Sequence, residues 1–311
     1  MRRVFVFPGQ GSQSIGMLGE LAQRSPLIAE TFAESSDVLG HDLWQLVAEG
    51  PAEKLNETVN TQPAMLTADI ATWRYWRSVG GAMPDAVAGH SLGEFAALVA
   101  AGVLEFPAAV RLVRERAQRM QAAVPAGVGA IAAVLGLDDD VVIATCQQSG
   151  QGEVVEAVNF NSPGQAVIAG HAGAVQRALD ACKAAGAKRA LLLPMSVPAH
   201  SSLMQPAADG FAESLRTAAL APPGMAFWSP VDASQHDEPE DIRALLIRQL
   251  ASPVRWSALV LALASAGATM LVECGPGKVL AGLNRRIDKN LQSLALQDQA
   301  SIEAALEAFR Q

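Results

Sequence analysis

The sequence predicts an α/β protein in which a smaller α+β unit is inserted into a large domain with a parallel sheet. Three observations support this: strands and helices alternate along the chain, a strand turns sharply into a helix within Asp85–Ala101, and the segment Gly129–Met195 has the order βαββαβ. We expect a hydrolase-like large domain with a nucleophile elbow at residues 1–126 and 197–311, and a ferredoxin-like subdomain at residues 127–196.

The composition is that of a globular enzyme with acidic character. The chain has 311 residues, 50% of them hydrophobic and 5% aromatic, and a formal net charge of −8. This length allows a substantial core, in one large domain or two smaller ones. Because the chain has no long basic run, we expect neither nucleic acid nor an anionic membrane to be its main partner.

The three cysteines, Cys146, Cys182 and Cys274, are odd in number and far apart, which predicts neither a disulfide framework nor a zinc site. This usage is typical of a reducing compartment. The N-terminal apolar run ends at Pro8-Gly9, before a secretory signal could form. We therefore expect a soluble cytoplasmic protein with no bound metal.

The first predicted strand, Arg3–Phe7, leads into a glycine-rich loop at residues 8–13. A dinucleotide-binding fingerprint would need glycine at Ser14, so the loop does not predict a nucleotide cofactor. The alternative is that it faces the sharp turn described next, where Gln10 or a neighbour would donate a backbone N–H.

The remaining elements follow hydrophobic periodicity. In the large domain, helices are predicted at 26–39, 64–79 (opened by Thr61-Gln62-Pro63), from 107, 201–220, 240–250 and from 257, and strands at 226–231 and 270–273. In the subdomain, strands are predicted at 130–135, 154–160, 166–169 and 190–193, and helices at 138–148 and 172–185.

The sharp turn is the G-x-S-x-G segment Gly89-His90-Ser91-Leu92-Gly93, between a short apolar run and an amphipathic helix. A strand that reverses into a helix this abruptly strains the central residue, and only small residues two positions before and after it avoid a clash. The turn exposes the Ser91 hydroxyl beside the first free N–H groups of the helix. This context favours a nucleophilic serine over an incidental serine in a glycine-bounded turn.

The helix from Pro107 carries four arginines, of which Arg116 alone has apolar neighbours both four positions before, Leu112, and four after, Met120. We therefore expect Arg116 to point inward, where its charge must be paired. Two interpretations remain open: a structural ion pair with an acidic residue, or a bidentate seat for a substrate carboxylate.

His200 is the candidate general base, because the other histidines lie in polar, loop-like surroundings or within the turn itself. It follows Ser91 by 109 positions, a spacing that allows contact without demonstrating it. No aspartate stands in an obvious place to orient the imidazole, and a capping or solvent-facing histidine is the alternative.

These motifs together closely resemble the bacterial malonyl-CoA:acyl-carrier-protein transacylases of fatty-acid synthesis. The resemblance covers nearly the whole chain, in order and with matching spacing. It is carried by PGQGSQ at 8–13, TQPA at 61–64, GHSLGE at 89–94, Arg116, NFNSPGQ at 159–165, VPAH at 197–200, Gln249 before PVRW at 253–256, and ECGPGKVL at 273–280.

The resemblance implies a ping-pong acyl transfer in which Ser91 attacks the thioester of malonyl-CoA and His200 accepts and later returns the proton. It implies that a backbone carbonyl at Gln249 orients the histidine, which would explain the missing aspartate. The acyl group would then pass to the phosphopantetheine thiol of acyl carrier protein, and no cofactor is needed.

For substrate binding, the resemblance implies that the backbone N–H groups of Leu92 and Gln10 hold the oxyanion. It implies that Arg116 clamps the malonyl carboxylate, and that Gln62 and Asn161 contribute to substrate binding.

Four basic positions match the family: Lys188, Arg189, Arg285 and Arg286. The resemblance implies that they meet CoA phosphates or the acidic carrier protein, and an exposed charged face is the alternative.

The chain departs from the family at two positions. Ala199 stands where relatives often have Ser or Phe, which puts the tolerance for branched extender units in question, and Cys274 stands where Val is common. The rival functions are a serine thioesterase or hydrolase, a carrier-docking module with a vestigial site, and the same malonyl transfer in polyketide assembly or malonate decarboxylation.

Overall fold

The computed structural model of the chain describes residues 2–195 and 197–310. Its strands are β1 Arg3–Phe7, β2 Ala86–Gly89, β3 Gly129–Leu135, β4 Val155–Ser162, β5 Gln165–His171, β6 Arg189–Leu192, β7 Ala226–Ser229, β8 Ser234–His236, β9 Met270–Glu273 and β10 Gln292–Ala295.

The first seven helices, all in the large domain, are α1 Gly19–Arg24, α2 Pro26–Leu39, α3 Leu43–Glu49, α4 Ala52–Leu55, α5 Thr58–Ser78, α6 Gly93–Ala100 and α7 Phe106–Ala123. The others are α8 Asp139–Ser149, α9 Ala172–Ala184, α10 Gln205–Thr217, α11 Pro239–Arg248, α12 Trp256–Ser265, α13 Val279–Ile287 and α14 Gln299–Ala308. Two 3₁₀ turns, Ser202–Met204 and Gln249–Ala251, precede α10 and follow α11. No helix in the described part of the chain is both long and apolar enough to cross a bilayer.

The large sheet has the strand order β10-β9-β1-β2-β7-β8, and all its neighbouring pairs are parallel except the edge pair β7–β8. Its central strand β1 is buried on both faces. Phe5 and Phe7 pack into one apolar cluster with α5, α6 and α7, while Val4 and Val6 pack into a second cluster with α12 and α13. Helices therefore cover both faces, as expected of a parallel sheet.

The small sheet is antiparallel and has the order β4-β5-β3-β6. Counted within the βαββαβ segment this order is 2-3-1-4, the ferredoxin-like arrangement. Residues of α8 and α9 share an apolar cluster with one face, while the other face carries the small cluster of Ile131, Val158, Val167 and Ala169. The predicted fold class is confirmed. The predicted boundaries stay a prediction, and the one at Ser196 lies outside the described residues.

A backbone bridge ties β4 to the large domain. Val254 N donates to Val158 O and Phe160 N donates to Val254 O, both at 2.9 Å. Val254 follows the turn Gln249–Ala251 by three residues. The bridge therefore fixes the subdomain beside the turn that, as described below, holds His200.

Some elements differ from the sequence prediction. Helix α5 begins at Thr58 instead of Ala64, and Pro63 lies inside it. The early start is held by side chains, because Thr61 Oγ1 donates to Leu55 O at 2.6 Å and Asn60 Nδ2 donates to Lys54 O at 2.9 Å.

Other elements have no counterpart in the prediction. The short helices α1, α3 and α4, the edge strands β8 and β10, and the C-terminal helix α14 were not expected. The helix predicted at 201–220 is a 3₁₀ turn followed by the shorter α10.

Candidate active site

Ser91 lies at the elbow between β2 and α6, with φ 53°. The flanking glycines are required by packing: a Cβ at Gly93 would lie 2.0 Å from Phe7 O, and a Cβ at Gly89 would lie 2.0 Å from the Gly93 carbonyl carbon. Both neighbours are backbone atoms that cannot move aside as a side chain could. The elbow, residues 89–93, therefore depends on glycine at both ends.

The structure brings Ser91 and His200 together. Ser91 Oγ lies 2.7 Å from His200 Nε2, and His200 Nδ1 lies 2.9 Å from the backbone oxygen of Gln249. A carbonyl oxygen can only accept, so Nδ1 carries the proton and Nε2 is left to accept the proton of the Ser91 hydroxyl. The backbone carbonyl of Gln249 thus accepts from His200 Nδ1 where an aspartate would accept in a Ser-His-Asp triad.

The loop that carries His200 is held tightly. His200 itself has φ 67°, and its N–H donates to Leu250 O at 3.1 Å. Burial and, second, the field of the Arg116 guanidinium lower the pKa of His200 to about 3. The imidazole is therefore neutral near pH 7 and can act as a base.

Two backbone N–H groups lie next to the elbow without a partner. Among residues 2–195 and 197–310, neither Leu92 N nor Gln10 N donates a hydrogen bond. The glycine-rich loop packs directly on the elbow, since a Cβ at Gly9 would lie 2.5 Å from His90 O and 3.7 Å from Leu92 N. This arrangement provides two donors for an oxyanion formed at Ser91.

Arg116 is 1% exposed and lies beside the Ser91 hydroxyl. Its Nη2 donates to Ser91 Oγ at 3.2 Å, its Nη1 donates to Gln62 Oε1 at 2.8 Å, and its Nε and Nη2 donate to Gln249 Oε1 at 3.2 and 2.8 Å. We call Arg116, Gln62 and Gln249 the Arg116 seat. No carboxylate of the described residues forms a salt bridge with this guanidinium.

A buried carboxylate that the sequence did not reveal lies behind the seat. Glu94, 1% exposed, accepts from Gln249 Nε2 at 2.7 Å and from Ser229 Oγ at 2.7 Å. Burial raises the pKa of Glu94 to about 7, against the opposing effects of these hydrogen bonds and of Arg116. The signal in the sequence that could have identified Glu94 is that it is the one charged residue of helix α6.

A cavity of about 190 Å³ opens onto Ser91, His200 and Arg116 between the two sheets. The large domain contributes Gln62 and Gln10, and the small sheet contributes the apolar side chains of Ile131 and Val167.

Asn161, a substrate-binding residue predicted from the sequence, also lines the cavity from the small sheet. Its Oδ1 accepts from His90 Nε2 at 2.9 Å. Ala199 also lines the cavity, whereas Cys274 is buried in the core beside Asp69 and does not. Of the two departures from the family pattern, only Ala199 is therefore at the site. No group of three or more His, Cys, Asp or Glu in the described residues is arranged to hold a metal ion.

The four basic residues predicted from the sequence are exposed, and one of them, Arg286, contacts a residue that lines the cavity. Arg286 donates to Gln165 Oε1 at 2.8 Å, and Gln165 lines the cavity. Gln165 pairs with Leu135 across the small sheet, and Leu135 pairs on its other side with Arg189. Arg189 is thus two strands from Gln165, with Lys188 next to it.

Comparison with known proteins gives a consistent result. Residues 4–302 match the acyl transferase domain family. The chain is 54% identical over 302 residues to the malonyl CoA-acyl carrier protein transacylase of Salmonella typhimurium, covering 97% of this chain and 98% of that protein. The Bacillus subtilis protein of the same name is 43% identical over 308 residues, covering 99% and 97%.

Solved structures of malonyl transacylases have the same fold as this chain. A malonyl-transacylase in complex with a type II polyketide-synthase acyl-carrier protein superposes with a TM-score of 0.97 at 51% identity, covering 99% of this chain and 100% of that one. An acyl carrier protein S-malonyltransferase from Vibrio cholerae superposes with a TM-score of 0.94 at 52% identity, covering 98% and 99%.

Proposed function

The chain belongs to the acyl transferase domain family, among its malonyl-CoA:acyl-carrier-protein transacylases, and from this premise we propose how its residues transfer the malonyl group. The observation that carries the proposal is a serine hydroxyl 2.7 Å from a neutral imidazole and 3.2 Å from a buried arginine that lacks a carboxylate partner. The first two groups suit acyl transfer, and the third suits an acyl group that ends in a carboxylate.

In the first half-reaction, Ser91 Oγ attacks the thioester carbonyl of malonyl-CoA while His200 Nε2 takes the hydroxyl proton. The backbone N–H groups of Leu92 and Gln10 donate to the developing oxyanion. When the intermediate collapses, the carbon–sulfur bond breaks and the imidazolium gives its proton to the departing CoA thiolate. Malonyl-Ser91 and CoA are the products.

Arg116 binds the malonyl carboxylate through its planar guanidinium, with Gln62 and Gln249 holding it in position. A neutral acyl group would leave the arginine without a charged partner in a site from which water is displaced. Selectivity for malonyl over acetyl follows from that difference. Asn161, which lines the same cavity, contacts the substrate from the small sheet.

In the second half-reaction, the phosphopantetheine thiol of acyl carrier protein replaces CoA. His200 takes the thiol proton, the thiolate attacks the malonyl ester, and the proton returns to Ser91 Oγ. The whole sequence is two acyl exchanges with balanced proton transfer, so it needs no cofactor.

The carrier protein and the CoA phosphates dock at the basic positions Lys188, Arg189, Arg285 and Arg286. The exposure of these residues and the contact of Arg286 with a cavity residue support this. Charge reversal of Lys188 and Arg189 to Glu is expected to raise the KM for carrier protein about tenfold or more with little change in acylation of Ser91. An unchanged KM would assign these residues to a solvated face.

The test of the main proposal is intact-mass spectrometry of the protein mixed with malonyl-CoA. A malonyl adduct is expected on the native chain and not on Ser91→Ala, and addition of carrier protein should discharge it to malonyl-carrier. A serine hydrolase would release free malonate whether or not carrier is present, and a docking module would form no adduct. Either result would contradict the proposal.

We place the reaction in the cytoplasm, where it supplies extender units for fatty-acid synthesis; the three cysteines, which are buried and free, suit a reducing compartment. Polyketide assembly is the second candidate, because a structural relative is bound to a polyketide-synthase carrier protein. Comparing kcat/KM for the two kinds of carrier protein from the source organism distinguishes them.

A further inference from the structure

Glu94 is a buried carboxylate that the acyl-transfer steps above do not use. It lies on α6, three residues after Ser91, and is connected to the Arg116 seat through one side chain, Gln249. The amide of Gln249 has a fixed orientation, because a guanidinium only donates: Oε1 accepts from Arg116 and Nε2 donates to Glu94 Oε1 at 2.7 Å and to Ser91 O at 2.9 Å. A single amide thus separates the buried cation from the buried carboxylate.

Without substrate, and above about pH 7, the positive charge of Arg116 is offset by the negative charge of Glu94. A substrate carboxylate on Arg116 would add a second negative charge close to the first. In a buried site two carboxylates near one cation cannot both stay ionised without a large cost, and binding of a proton by one of them relieves it.

The other groups around α6 do not supply a compensating positive charge. Helix α6 packs against β1, β2, α5, α7 and β7. The described residues Val4–Phe7 of β1, and those of β2 and β7, carry no titratable side chain. Helix α5 contributes Asp69, whose pKa is raised well above its usual value by burial and by Glu273. Its two cations are engaged elsewhere, because Arg74 pairs with Glu34 and the guanidinium of Arg77 lies over the Trp73 ring.

The remaining titratable groups near Glu94 lie around the seat and the elbow. Arg116 on α7 favours the carboxylate form, while Asp232, in the turn after β7, favours the protonated form. The pKa values of His200 and His90 are both lowered by burial, so these imidazoles are neutral near pH 7. Arg116 is therefore the one cation that the carboxylates of Glu94 and substrate would share in the described residues.

We propose that Glu94 takes up a proton when the carboxylate of the substrate binds to Arg116, and gives it back when the malonyl group leaves. Glu94 is then a specificity-determining residue that acts through Gln249 and Arg116, without touching the substrate. This inference rests on the proposed function.

The hydrogen bonds of Glu94 suit both protonation states. As a carboxylate it accepts from Gln249 Nε2 and Ser229 Oγ. When protonated on Oε2 it can donate to Ser229 Oγ, which already accepts from Val231 N at 3.2 Å, while Oε1 still accepts from Gln249. Because burial already raises the pKa of Glu94 to about 7, only a modest further rise makes proton uptake substantial near neutral pH.

The sign of the pH dependence follows from linkage. The complex with malonyl-CoA binds more protons than the free protein, so affinity for malonyl-CoA falls as pH rises above the pKa of free Glu94. Acetyl-CoA has no carboxylate, so its binding should not show this component. Selectivity for malonyl over acetyl should therefore decline from pH 7 to pH 9.

Calorimetry of a variant that binds but does not react measures the proton directly. Malonyl-CoA and acetyl-CoA are titrated into Ser91→Ala at pH 7.5 in phosphate and in Tris, whose ionisation enthalpies differ, and the proton uptake is obtained from the buffer dependence of the binding enthalpy. Subtracting the acetyl-CoA value cancels protons that belong to the CoA phosphates. We expect the difference to be a positive fraction of one proton.

Two further variants in the Ser91→Ala background identify the group. Glu94→Gln imitates the protonated side chain, since its amide can donate to Ser229 and its oxygen can accept from Gln249, and it should abolish the difference. Glu273→Gln is the matched control: Glu273 is also buried, its pKa is also raised to about 7, and it does not line the cavity. It should leave the difference intact.

Equal proton uptake with the two ligands, or a malonyl-specific uptake that persists in Glu94→Gln, would overturn the inference. If Glu94→Gln does not fold, the ratio of kcat/KM for malonyl-CoA and acetyl-CoA in the native chain decides: a fall from pH 7 to pH 9 supports it and a constant ratio overturns it. Failure of the proposed function is a separate result, the absence of a malonyl adduct on native Ser91.

Discussion

At the elbow, backbone atoms of one short segment fix the position of Ser91, whereas at the Arg116 seat side chains from three separate elements fix the guanidinium. The elbow glycines would place a Cβ 2.0 Å from backbone atoms of their neighbours, so the segment has one possible shape. The seat joins α5, α7 and the turn Gln249–Ala251 through hydrogen bonds of 2.8 to 3.2 Å. Neighbouring parts of one cavity are thus built by different means.

The difference suggests that reactivity and selectivity can change independently. A backbone-built site loses function when its conformation is altered and tolerates little variation. A side-chain-built site can be altered one hydrogen bond at a time while the fold remains. We therefore expect substitutions at the elbow to abolish transfer of every acyl group, and substitutions at the seat to change which acyl group is preferred.

The largest effect is expected for Gly93→Ala. The new methyl group would lie 2.0 Å from Phe7 O, so β1 and the elbow must separate and Ser91 moves away from His200. Since misplacement by about 1 Å can cost about 100-fold, we expect kcat/KM for both malonyl-CoA and acetyl-CoA to fall at least that far. Steady-state kinetics with both substrates measures this.

Gly282→Ala is the matched control for the elbow substitution. Gly282 lies inside α13, and an added Cβ would meet nothing within 4 Å. Alanine is the better helix former, so we expect unfolding free energy to rise by about 0.5–1 kcal/mol with unchanged kinetics. Equal activity losses in the two variants would show that general sensitivity to alanine, not the elbow geometry, is responsible.

The next largest effect is expected for Arg116→Ala, and it should be selective. Hydrogen bonds to charged groups contribute about 1.5–3 kcal/mol, so loss of a bidentate pair should lower kcat/KM for malonyl-CoA about 100-fold. Acetyl transfer should fall by less than about tenfold, since Ser91 Oγ, 3.2 Å from Arg116, is the one reacting atom that loses a hydrogen bond.

Arg116→Lys separates charge from geometry. Lysine keeps the positive charge but cannot present two parallel N–H groups, so malonyl transfer should be intermediate between those of the native chain and Arg116→Ala. A preference for malonyl over acetyl that remains unchanged in Arg116→Ala would contradict the role of the seat.

The smallest expected effect links the two regions through pH. The pKa of His200 is lowered to about 3, so its base form persists as pH falls and is lost only as pH passes below that value. Acylation by acetyl-CoA should therefore stay nearly constant from pH 7 to pH 5, where an unperturbed histidine of pKa ~6.5 would lose most of its activity. Rapid-quench mass spectrometry follows the acylation rate, and circular dichroism confirms folding at pH 5.

The same experiment on Arg116→Ala sharpens the comparison. Removing the guanidinium removes the second cause of the lowered pKa, so the decline in rate at low pH should move toward neutral pH. An unchanged profile would mean that the Arg116 seat and the Ser91–His200 pair are electrostatically independent. A profile that falls near pH 6.5 in the native chain would contradict the neutral, buried state of His200.

The parts of the molecule that the sequence predicted best are those set by local pattern. Alternating strands and helices predicted both sheets, and helical spacing predicted that Arg116 is buried, which it is. The polar edge strand β8 and the early start of α5 were missed, because an edge strand lacks an apolar face and Pro63 is a usual signal for a helix start. Their positions depend on tertiary contacts.

In the active site, too, features set by local sequence could be predicted and features set by tertiary contacts could not. Ser91 could be selected from five consecutive residues, because the elbow is a local structure. The contact of His200 with Ser91 could not be derived from a spacing of 109 residues; the surroundings of the other histidines made His200 the candidate, and the family resemblance supported it. The side-chain contacts of Gln249 with Arg116 and Glu94 join residues far apart in the chain, and nothing in the sequence pattern encodes such a network.

The backbone bridge between Val254 and β4 has a kinetic consequence. The two sheets are joined beside His200, and the cavity above Ser91 measures about 190 Å³, less than the ~300 Å³ at which sites for drug-sized ligands begin. Two pantetheine arms cannot occupy it simultaneously. CoA must therefore leave the cavity before the phosphopantetheine arm of the carrier protein enters. Excess CoA should slow the transfer of malonyl to the carrier protein by occupying the same cavity.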